Sequence, residues 1–149
     1  MIQPFDDTYF MQQALKEAQL AFDKNEVPVG AVIVLDNKII ARAHNLTELL
    51  TDVTAHAEMQ VFTAAAAYLG SKYLQKCTLY VTLEPCCMCA GASFWTQISK
   101  IVYGTSDEKR GFKEHKVPLH PKTKVVSGIL KDDCSALLLK FFENQRKLK

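Results

Sequence analysis

Short runs of β-branched and other apolar residues alternate with helical segments along the chain, and this alternation limits the possible folds more than any other feature. The spacing of apolar residues predicts a first helix that follows capping candidates at positions 6–8 and extends to about Lys24. Alanine-rich residues 56–69 predict a second helix that stops at Gly70. The remaining elements are predicted as a hairpin of strands 29–35 and 39–43, a strand over 79–83, a helix over 86–96, a strand over 98–103, a short strand at 125–126, and a helix from 134 to about 146 capped by Asp132 and Asp133. This order predicts an α/β fold, a three-layer α-β-α sandwich around a mixed five-stranded sheet.

The length and the cysteine content narrow the class of protein further. A chain of 149 residues without a repeat or a low-complexity linker predicts one domain over residues 1–149. Its five cysteines, two of them adjacent, fit a disulfide framework badly and favour a reducing cytoplasm. The apolar runs are too short to span a bilayer, and the N-terminus lacks the pattern of a secretory signal, so no membrane partner is expected.

Two short motifs carry residues that bind metals or transfer protons. The first is His56-Ala57-Glu58, and the second, Pro85-Cys86-Cys87-Met88-Cys89, begins about 30 residues later. Each is predicted at the N-terminus of a helix, where Cys86 and Cys89 share one face and Cys87 points about 100° away. A lone CxxC is often a redox pair and a lone HxE is common on surfaces. Together they favour a metal site.

The number of ligands indicates which kind of metal site this is. One histidine and two cysteines give His56, Cys86 and Cys89 as ligands of one zinc ion per chain, and the fourth tetrahedral position remains for water. A structural site would need another protein ligand, and neither Cys77 nor Cys134 is paired with a second ligand at a suitable spacing. Glu58 is then the expected proton carrier beside the activated water. The HxE and PCxxC motifs in this order are similar to the signature of zinc-dependent nucleobase deaminases.

Further blocks of sequence extend this similarity to nearly the whole chain. They are residues 26–32 (EVPVGAV), 54–58 (TAHAE), 79–86 (LYVTLEPC), 88–92 (MCAGA) and 128–130 (GIL). In this order they resemble the bacterial tRNA-specific adenosine deaminase family, which has a cytidine deaminase-like fold. The resemblance implies a cytoplasmic homodimer that hydrolyses the wobble adenosine of a tRNA anticodon loop to inosine and releases ammonia.

The resemblance also implies roles for individual side chains. Glu58 is the implied catalytic residue, which takes a proton from the attacking water, protonates the ring nitrogen beside the attacked carbon and assists departure of the amine. Asn45 is the implied hydrogen-bonding partner of the flipped base, and Val27 is implied in the pocket wall. Asp107 is expected to contact the nucleotide or, alternatively, to cap a turn. The other histidines, which are His44, His115 and His120, show no partner spacing and are predicted to be ordinary strand-end or loop residues.

Positive charge is concentrated in the last third of the chain. The net charge is −5 over residues 1–108 and +7 over residues 109–149. An RNA partner bound through its phosphates accounts for this asymmetry, with contacts expected from Lys109, Arg110, Arg146 and Lys147, and also from Lys149. A solvated lysine-rich surface is the alternative explanation from charge alone.

Two segments depart from the resemblance and motivate other functions. Residues 49–53 (LLTDV) lack the basic, histidine-containing stretch that many members of the family carry at this point. The aromatic pair Phe94-Trp95 resembles the sequence of free guanine deaminases. The first alternative is therefore a deaminase of a free nucleobase or nucleoside, such as guanine or cytosine. The second alternative is a non-catalytic RNA-binding or structural zinc protein.

Overall fold

The computed structural model describes residues 5–148, and within this range five strands form one mixed sheet in the order β2-β1-β3-β4-β5. β1 is antiparallel to both β2 and β3, whereas β4 is parallel to both β3 and β5. The strands are β1 Gly30–Leu35, β2 Lys38–His44, β3 Thr78–Leu83, β4 Lys100–Thr105 and β5 Lys124–Ser127. The predicted mixed five-stranded sheet is thus confirmed.

Four helices of the described chain cover the two faces of this sheet, and they are α1 Asp7–Asp23, α2 Ala57–Leu69, α3 Cys87–Thr96 and α4 Lys131–Lys147. Alternate residues of β1 belong to different apolar clusters. Ala31 and Ile33 pack with residues of α2 and α3, whereas Val32 and Val34 pack with residues of α1 and α4. Both faces of β1 are therefore buried, as expected for a three-layer α-β-α sandwich.

The first helices begin and end where their sequence signals predict. The Asp6 side chain accepts a hydrogen bond from the Tyr9 backbone N–H at 2.8 Å, which satisfies one of the free donors at the start of α1. α2 ends at Gly70, whose φ of 65° lies in the left-handed region that glycine adopts at low cost.

The predicted cap of the last helix is wrong. α4 begins at Lys131, and its N-cap residue is Leu130, which provides no side-chain cap. Asp132 and Asp133 lie inside the first turn, where their negative charge interacts favourably with the helix dipole. β4 also differs from its predicted range of 98–103, since it begins at Lys100 and extends to Thr105.

One edge of the sheet gathers the ends of several elements. Because β3 and β4 are parallel, their carboxyl ends lie side by side, and antiparallel β1 begins at the same edge. The Gly30 backbone N–H at the start of β1 donates to Thr82 Oγ1 near the end of β3 at 3.2 Å. The segments that follow β2, β3 and β4 therefore converge here. Among the described residues, no helix is both long enough and apolar enough to cross a membrane.

Candidate active site

A cavity of about 790 Å³ opens at this edge of the sheet. His56, Glu58 and Cys86 line its bottom, from the start of α2 and the segment leading into α3. Buried Cys89 lies against them, with its Sγ 3.5 Å from His56 Nδ1, and we use "the floor" for these four residues. The loop after β4 forms a second side, where we use "the basic rim" for Lys109 and Arg110. Side chains of α4 form a third side. A position beyond the carboxyl ends of parallel strands is a common place for a binding site in α/β proteins.

Two helix N-termini bring the three predicted metal ligands together. His56 is the N-cap residue of α2 and Cys86 is the N-cap residue of α3, and both have extended backbone conformations. Cys89 follows one turn into α3 and is buried. The donor atoms of these residues all lie within 4.8 Å of one another. The sequence prediction that these three residues form one group is therefore confirmed.

The spacing of the donor atoms fits a tetrahedral metal ion. His56 Nδ1 lies 3.6 Å from Cys86 Sγ and 3.5 Å from Cys89 Sγ. A zinc ion with Zn–S bonds of about 2.3 Å and a Zn–N bond of about 2.0–2.1 Å separates sulfur from nitrogen by about 3.6 Å at tetrahedral angles. The site residues thus match zinc in both donor type and spacing.

The other cysteines lie elsewhere. Cys87 is exposed and points away from the group, as its position on the helix predicted. Cys77 and Cys134 are buried in the two apolar clusters on opposite faces of the sheet. Within the described residues, the candidate metal group therefore has three protein members and no fourth.

Hydrogen bonding within the group favours a thiolate at Cys86. A hydrogen bond with the Cys89 thiol is the largest influence, and with a further one from His56 it lowers the pKa of Cys86 to about 4. The contact with Cys86 in turn raises the pKa of Cys89 and that of His56. A thiolate is the form of cysteine that binds metals.

Glu58 lies in the first turn of α2 and is only 4% exposed, at the floor of the cavity. Burial is the main cause that raises the pKa of this carboxyl group to about 7. A pKa near neutrality suits a group that must both accept and return a proton. Side chains two positions apart on a regular helix point in different directions. His56 is the N-cap residue and lies outside the regular helix, so His56 and Glu58 can flank the same space.

Asn45 and Val27 lie in the wall beside the floor. Asn45 is only 7% exposed, and its Oδ1 atom has no hydrogen-bond partner among the described residues. The segment around Asn45 is fixed by Gln60, whose Nε2 donates to the backbone oxygen of His44 at 2.7 Å. Val27 is half-buried in the same wall. A buried amide oxygen without a partner is costly unless a ligand supplies the donor, so Asn45 is placed to bind one.

Asp107 lines the cavity and also caps a turn. Its Oδ1 accepts hydrogen bonds from the backbone N–H groups of Lys109 at 3.1 Å and Arg110 at 3.0 Å. The turn-capping alternative is therefore present in the structure, and the carboxylate holds the basic rim in place.

Four of the five predicted RNA-contacting cations lie in the described residues, and they fall into two groups. Lys109 and Arg110 are exposed at the cavity. Arg146 and Lys147 are exposed at the end of α4 and are not among the residues that line the cavity, and Lys147 pairs with Glu143 at 3.3 Å. Lys149 lies outside the described residues.

One side of the cavity was not predicted. It consists of Ser135, Leu138, Leu139 and Phe142 of α4. Their spacing of three and four residues marks one helical face, so periodicity could have shown that they act together. It could not have shown that this face meets the ends of β3 and β4.

The fold and the site together define a hydrolytic deaminase, and the model of the MafB19-like deaminase family matches residues 5–145. The tRNA-specific adenosine deaminase of Bacillus subtilis is 45% identical over 96% of this chain and 92% of its own length. A solved structure from studies of A-to-I editing by tRNA:A34 deaminases has a TM-score of 0.81 at 42% identity, covering 88% of this chain and 99% of that one. The chain belongs to the tRNA-specific adenosine deaminase family. Guanine deaminase from Bacillus subtilis is also similar, with a TM-score of 0.63 at 33% identity over 72% of this chain and 66% of that one.

Proposed function

We propose that this protein is a zinc hydrolase that converts adenosine to inosine at the wobble position of a tRNA anticodon loop and releases ammonia. The observation that carries this proposal is the convergence of three metal-binding side chains with buried Glu58 at the floor of one cavity. The tRNA substrate is supported by the relatives named as tRNA-specific adenosine deaminases, which match over nearly the full chain. In this proposal residues 1–149 form a single deaminase domain.

One zinc ion would be held by His56 Nδ1 and by the sulfur atoms of Cys86 and Cys89. When bound, zinc with three protein ligands lowers the pKa of a water molecule to about 7 and so supplies the nucleophile at neutral pH. The N-terminus of α3 adds a favourable electrostatic environment for the two thiolates.

Glu58 carries the protons of the reaction. Its carboxylate accepts a proton from the attacking water and delivers it to the ring nitrogen beside the attacked carbon. It then transfers the second proton of the added water to the departing amine, so that one water is consumed and one ammonia is released per inosine formed. Burial at the floor raises the pKa of this carboxyl group.

Asn45 positions the base. Asn45 lines the cavity and its Oδ1 has no hydrogen-bond partner among the described residues, so the polar edge of a purine would provide the donor that the protein does not. Val27 contributes apolar surface for the ring, and Asp107 orders the adjoining loop.

The substrate is an unpaired loop of RNA in this proposal. Extrusion of a base costs only a few kcal/mol, and least where the base is already unpaired. Lys109 and Arg110 stand beside the cavity, where they would contact phosphates that flank the flipped nucleotide. Arg146 and Lys147 would contact more distant phosphates.

We also propose a cytoplasmic homodimer. All five cysteines are free, which suits a reducing compartment. The side chain of Trp95 is 76% exposed and forms an edge contact with Phe94, so this aromatic pair is available to a second copy of the chain.

Deamination of a free base such as guanine is the second candidate function. It is supported by the similarity to guanine deaminase, and the metal-binding group of this chain suits deamination of a free base equally well. The two functions differ in what they require of the basic rim, because a free base has no phosphates.

The deciding experiment incubates the zinc-loaded protein with an unmodified tRNA transcript that has adenosine at the wobble position. We expect inosine at that position alone, and no product from the matched transcript with guanosine there. Ammonia release from free guanine, cytosine or adenosine with the tRNA unchanged would favour the second candidate. Absence of turnover on every substrate would favour a non-catalytic zinc protein.

A further inference from the structure

Two buried carboxylates outside the floor each bind the backbone of a loop beside the cavity. One loop, which we call the β2–α2 loop, comprises residues 46–53, and the other, the β4–β5 loop, comprises residues 106–113. Glu26 is 1% exposed and Glu84 is 3% exposed. Neither takes part in the proton transfers described above.

Glu84 holds both ends of a turn in the β4–β5 loop. Its Oε1 accepts a hydrogen bond from the Asp107 backbone N–H, and its Oε2 accepts one from the Lys113 backbone N–H, each at 3.0 Å. Pro85, which follows Glu84, extends this contact because its backbone oxygen accepts a hydrogen bond from the Phe112 N–H at 3.0 Å. The segment that leads to Cys86 is thereby joined to the loop that bears the basic rim.

Gly111 makes this close approach possible. A Cβ atom at this position would overlap Glu84 Oε2 and the backbone oxygen of Asp107. Any other residue would push the loop away from the carboxylate. The position therefore needs glycine because of contact with Glu84.

Glu26 forms the corresponding contact with the β2–α2 loop, whose residue Thr47 lines the cavity. Its Oε1 accepts from the Glu48 backbone N–H at 3.0 Å, and its Oε2 accepts from the Leu49 N–H at 2.7 Å. These donors belong to the first turn of the β2–α2 loop, which closes through a bond from the Leu50 N–H to the Leu46 oxygen. The carboxylate thus caps this turn from a distant segment.

Backbone amides are the main partners of both charges. Among the described residues, neither carboxylate forms an ion pair. A buried charge without partners is strongly destabilising, whereas charge-assisted hydrogen bonds from fixed amides offset that cost and are directional. Each carboxylate therefore stabilises the one position of its loop in which the backbone N–H groups point at its oxygens.

We propose that Glu26 and Glu84 are positioning residues that hold the two loops beside the cavity in the geometry that receives the substrate. The kinetic part of this inference rests on the proposed RNA substrate, whereas the structural part does not. The loops differ in charge, since Lys109 and Arg110 belong to the β4–β5 loop and Glu48 and Asp52 belong to the β2–α2 loop. Release of each loop therefore has a different effect on RNA binding.

Amide hydrogen exchange on the zinc-loaded protein tests the structural part directly. Glu84→Gln keeps the shape of the side chain but replaces one carboxylate oxygen by an NH2 group. This group faces a backbone N–H and cannot accept its hydrogen bond. We expect the amides of Asp107 and Lys113 to lose at least about tenfold in protection, while those of Glu48 and Leu49 keep theirs. Glu26→Gln should give the opposite pattern.

Kinetics on the tRNA transcript test the positioning role. For Glu84→Gln we expect KM to rise about tenfold with kcat within about twofold, because the loop must be ordered on binding. The slope of log KM against log salt should become shallower by about 0.7 to 1.4, the contribution of one or two phosphate contacts on single strands. Glu26→Gln should also raise KM, but it should leave the salt slope unchanged.

Two further variants guard against general damage. Gly111→Ala disturbs the same contact from the loop side and should reproduce the exchange pattern and the salt slope of Glu84→Gln. Glu114→Gln removes an exposed carboxylate just outside the β4–β5 loop and should change neither protection nor KM. Zinc content should match that of the unchanged protein in every variant.

The outcomes separate this inference from the proposed function. Retained protection of all four amides in Glu26→Gln and Glu84→Gln contradicts the positioning role, and so does retained protection in Gly111→Ala. Equal salt slopes for Glu84→Gln and the unchanged protein contradict the link to the basic rim. Absence of turnover in the unchanged protein overturns the RNA substrate, while the exchange pattern still decides whether the carboxylates hold the loops.

Discussion

At the floor of the cavity, Glu58 and Cys89 are buried at the N-termini of α2 and α3, whereas Lys109 and Arg110 of the basic rim project into solvent from a loop. The floor is fixed by helices and by contacts within the protein core. The basic rim depends on a capped turn and a buried carboxylate. Groups held rigidly in a buried site change a reaction barrier strongly, while each exposed cation contributes little and is weakened by salt. Substitutions at the floor should therefore reduce turnover strongly, whereas substitutions at the basic rim should weaken RNA binding slightly and in a salt-dependent way.

Loss of a metal ligand should have the largest effect. Cys89→Ser removes one of two sulfur donors from a buried position, so we expect zinc loss and at least about a 10⁴-fold decrease in deamination. Metal analysis of the purified protein and an inosine assay measure both results. Cys87→Ser changes the exposed neighbouring cysteine and should retain zinc and activity. Equal behaviour of the two variants would contradict the assigned ligand set.

Removal of the proton carrier should have the next largest effect. Glu58→Gln keeps the shape of the side chain but cannot accept the proton, so we expect kcat to fall by about 10³ to 10⁴-fold with zinc still bound. Single-turnover assays on the tRNA transcript measure this decrease. Activity within tenfold of the unchanged protein would show that Glu58 is not the acid and base.

Truncation of the base-binding amide should have an intermediate effect. Asn45→Ala removes one hydrogen bond to the substrate, which corresponds to about a 10 to 100-fold decrease in kcat/KM. The matched control is Asn144→Ala, at an exposed position on α4. If Asn45→Ala turns over the transcript as fast as the control does, the base is held by other groups.

Single cations of the basic rim should have the smallest effect. Lys109→Ala and Arg110→Ala should each raise KM only a few-fold and reduce the salt slope by about 0.7, with kcat preserved. Lys72→Ala removes an exposed cation that does not line the cavity and serves as the control. A salt slope that stays the same in both rim variants would remove these cations from the RNA-binding surface.

The features that depend on a pattern of neighbouring residues were the ones best predicted from the sequence. Asp6 caps α1, Gly70 ends α2, and the motifs at 56–58 and 85–89 lie at helix N-termini, because each follows from a few neighbouring residues. The type and number of ligands added the expectation that these distant motifs meet at one metal ion. The structure confirms that meeting for His56, Cys86 and Cys89.

Features that depend on contacts between distant segments were predicted poorly. His44 was expected to be an ordinary strand-end residue, yet it is buried, with Nδ1 3.0 Å from Glu17 and Nε2 3.1 Å from Lys24. The α4 side of the cavity and the contacts of Glu26 and Glu84 were missed for the same reason. Glu26 is separated from Glu48 by 22 residues and Glu84 from Asp107 by 23, so no local spacing reveals these contacts.

Coordination of zinc in the purified protein tests the central claim most directly. X-ray absorption at the zinc edge should give two sulfur atoms at about 2.3 Å, one histidine nitrogen at about 2.0–2.1 Å and one light atom from solvent. That result would establish a site with three protein ligands and one position open for the reacting water. A third sulfur atom, a second histidine nitrogen or a protein preparation without zinc would contradict the account.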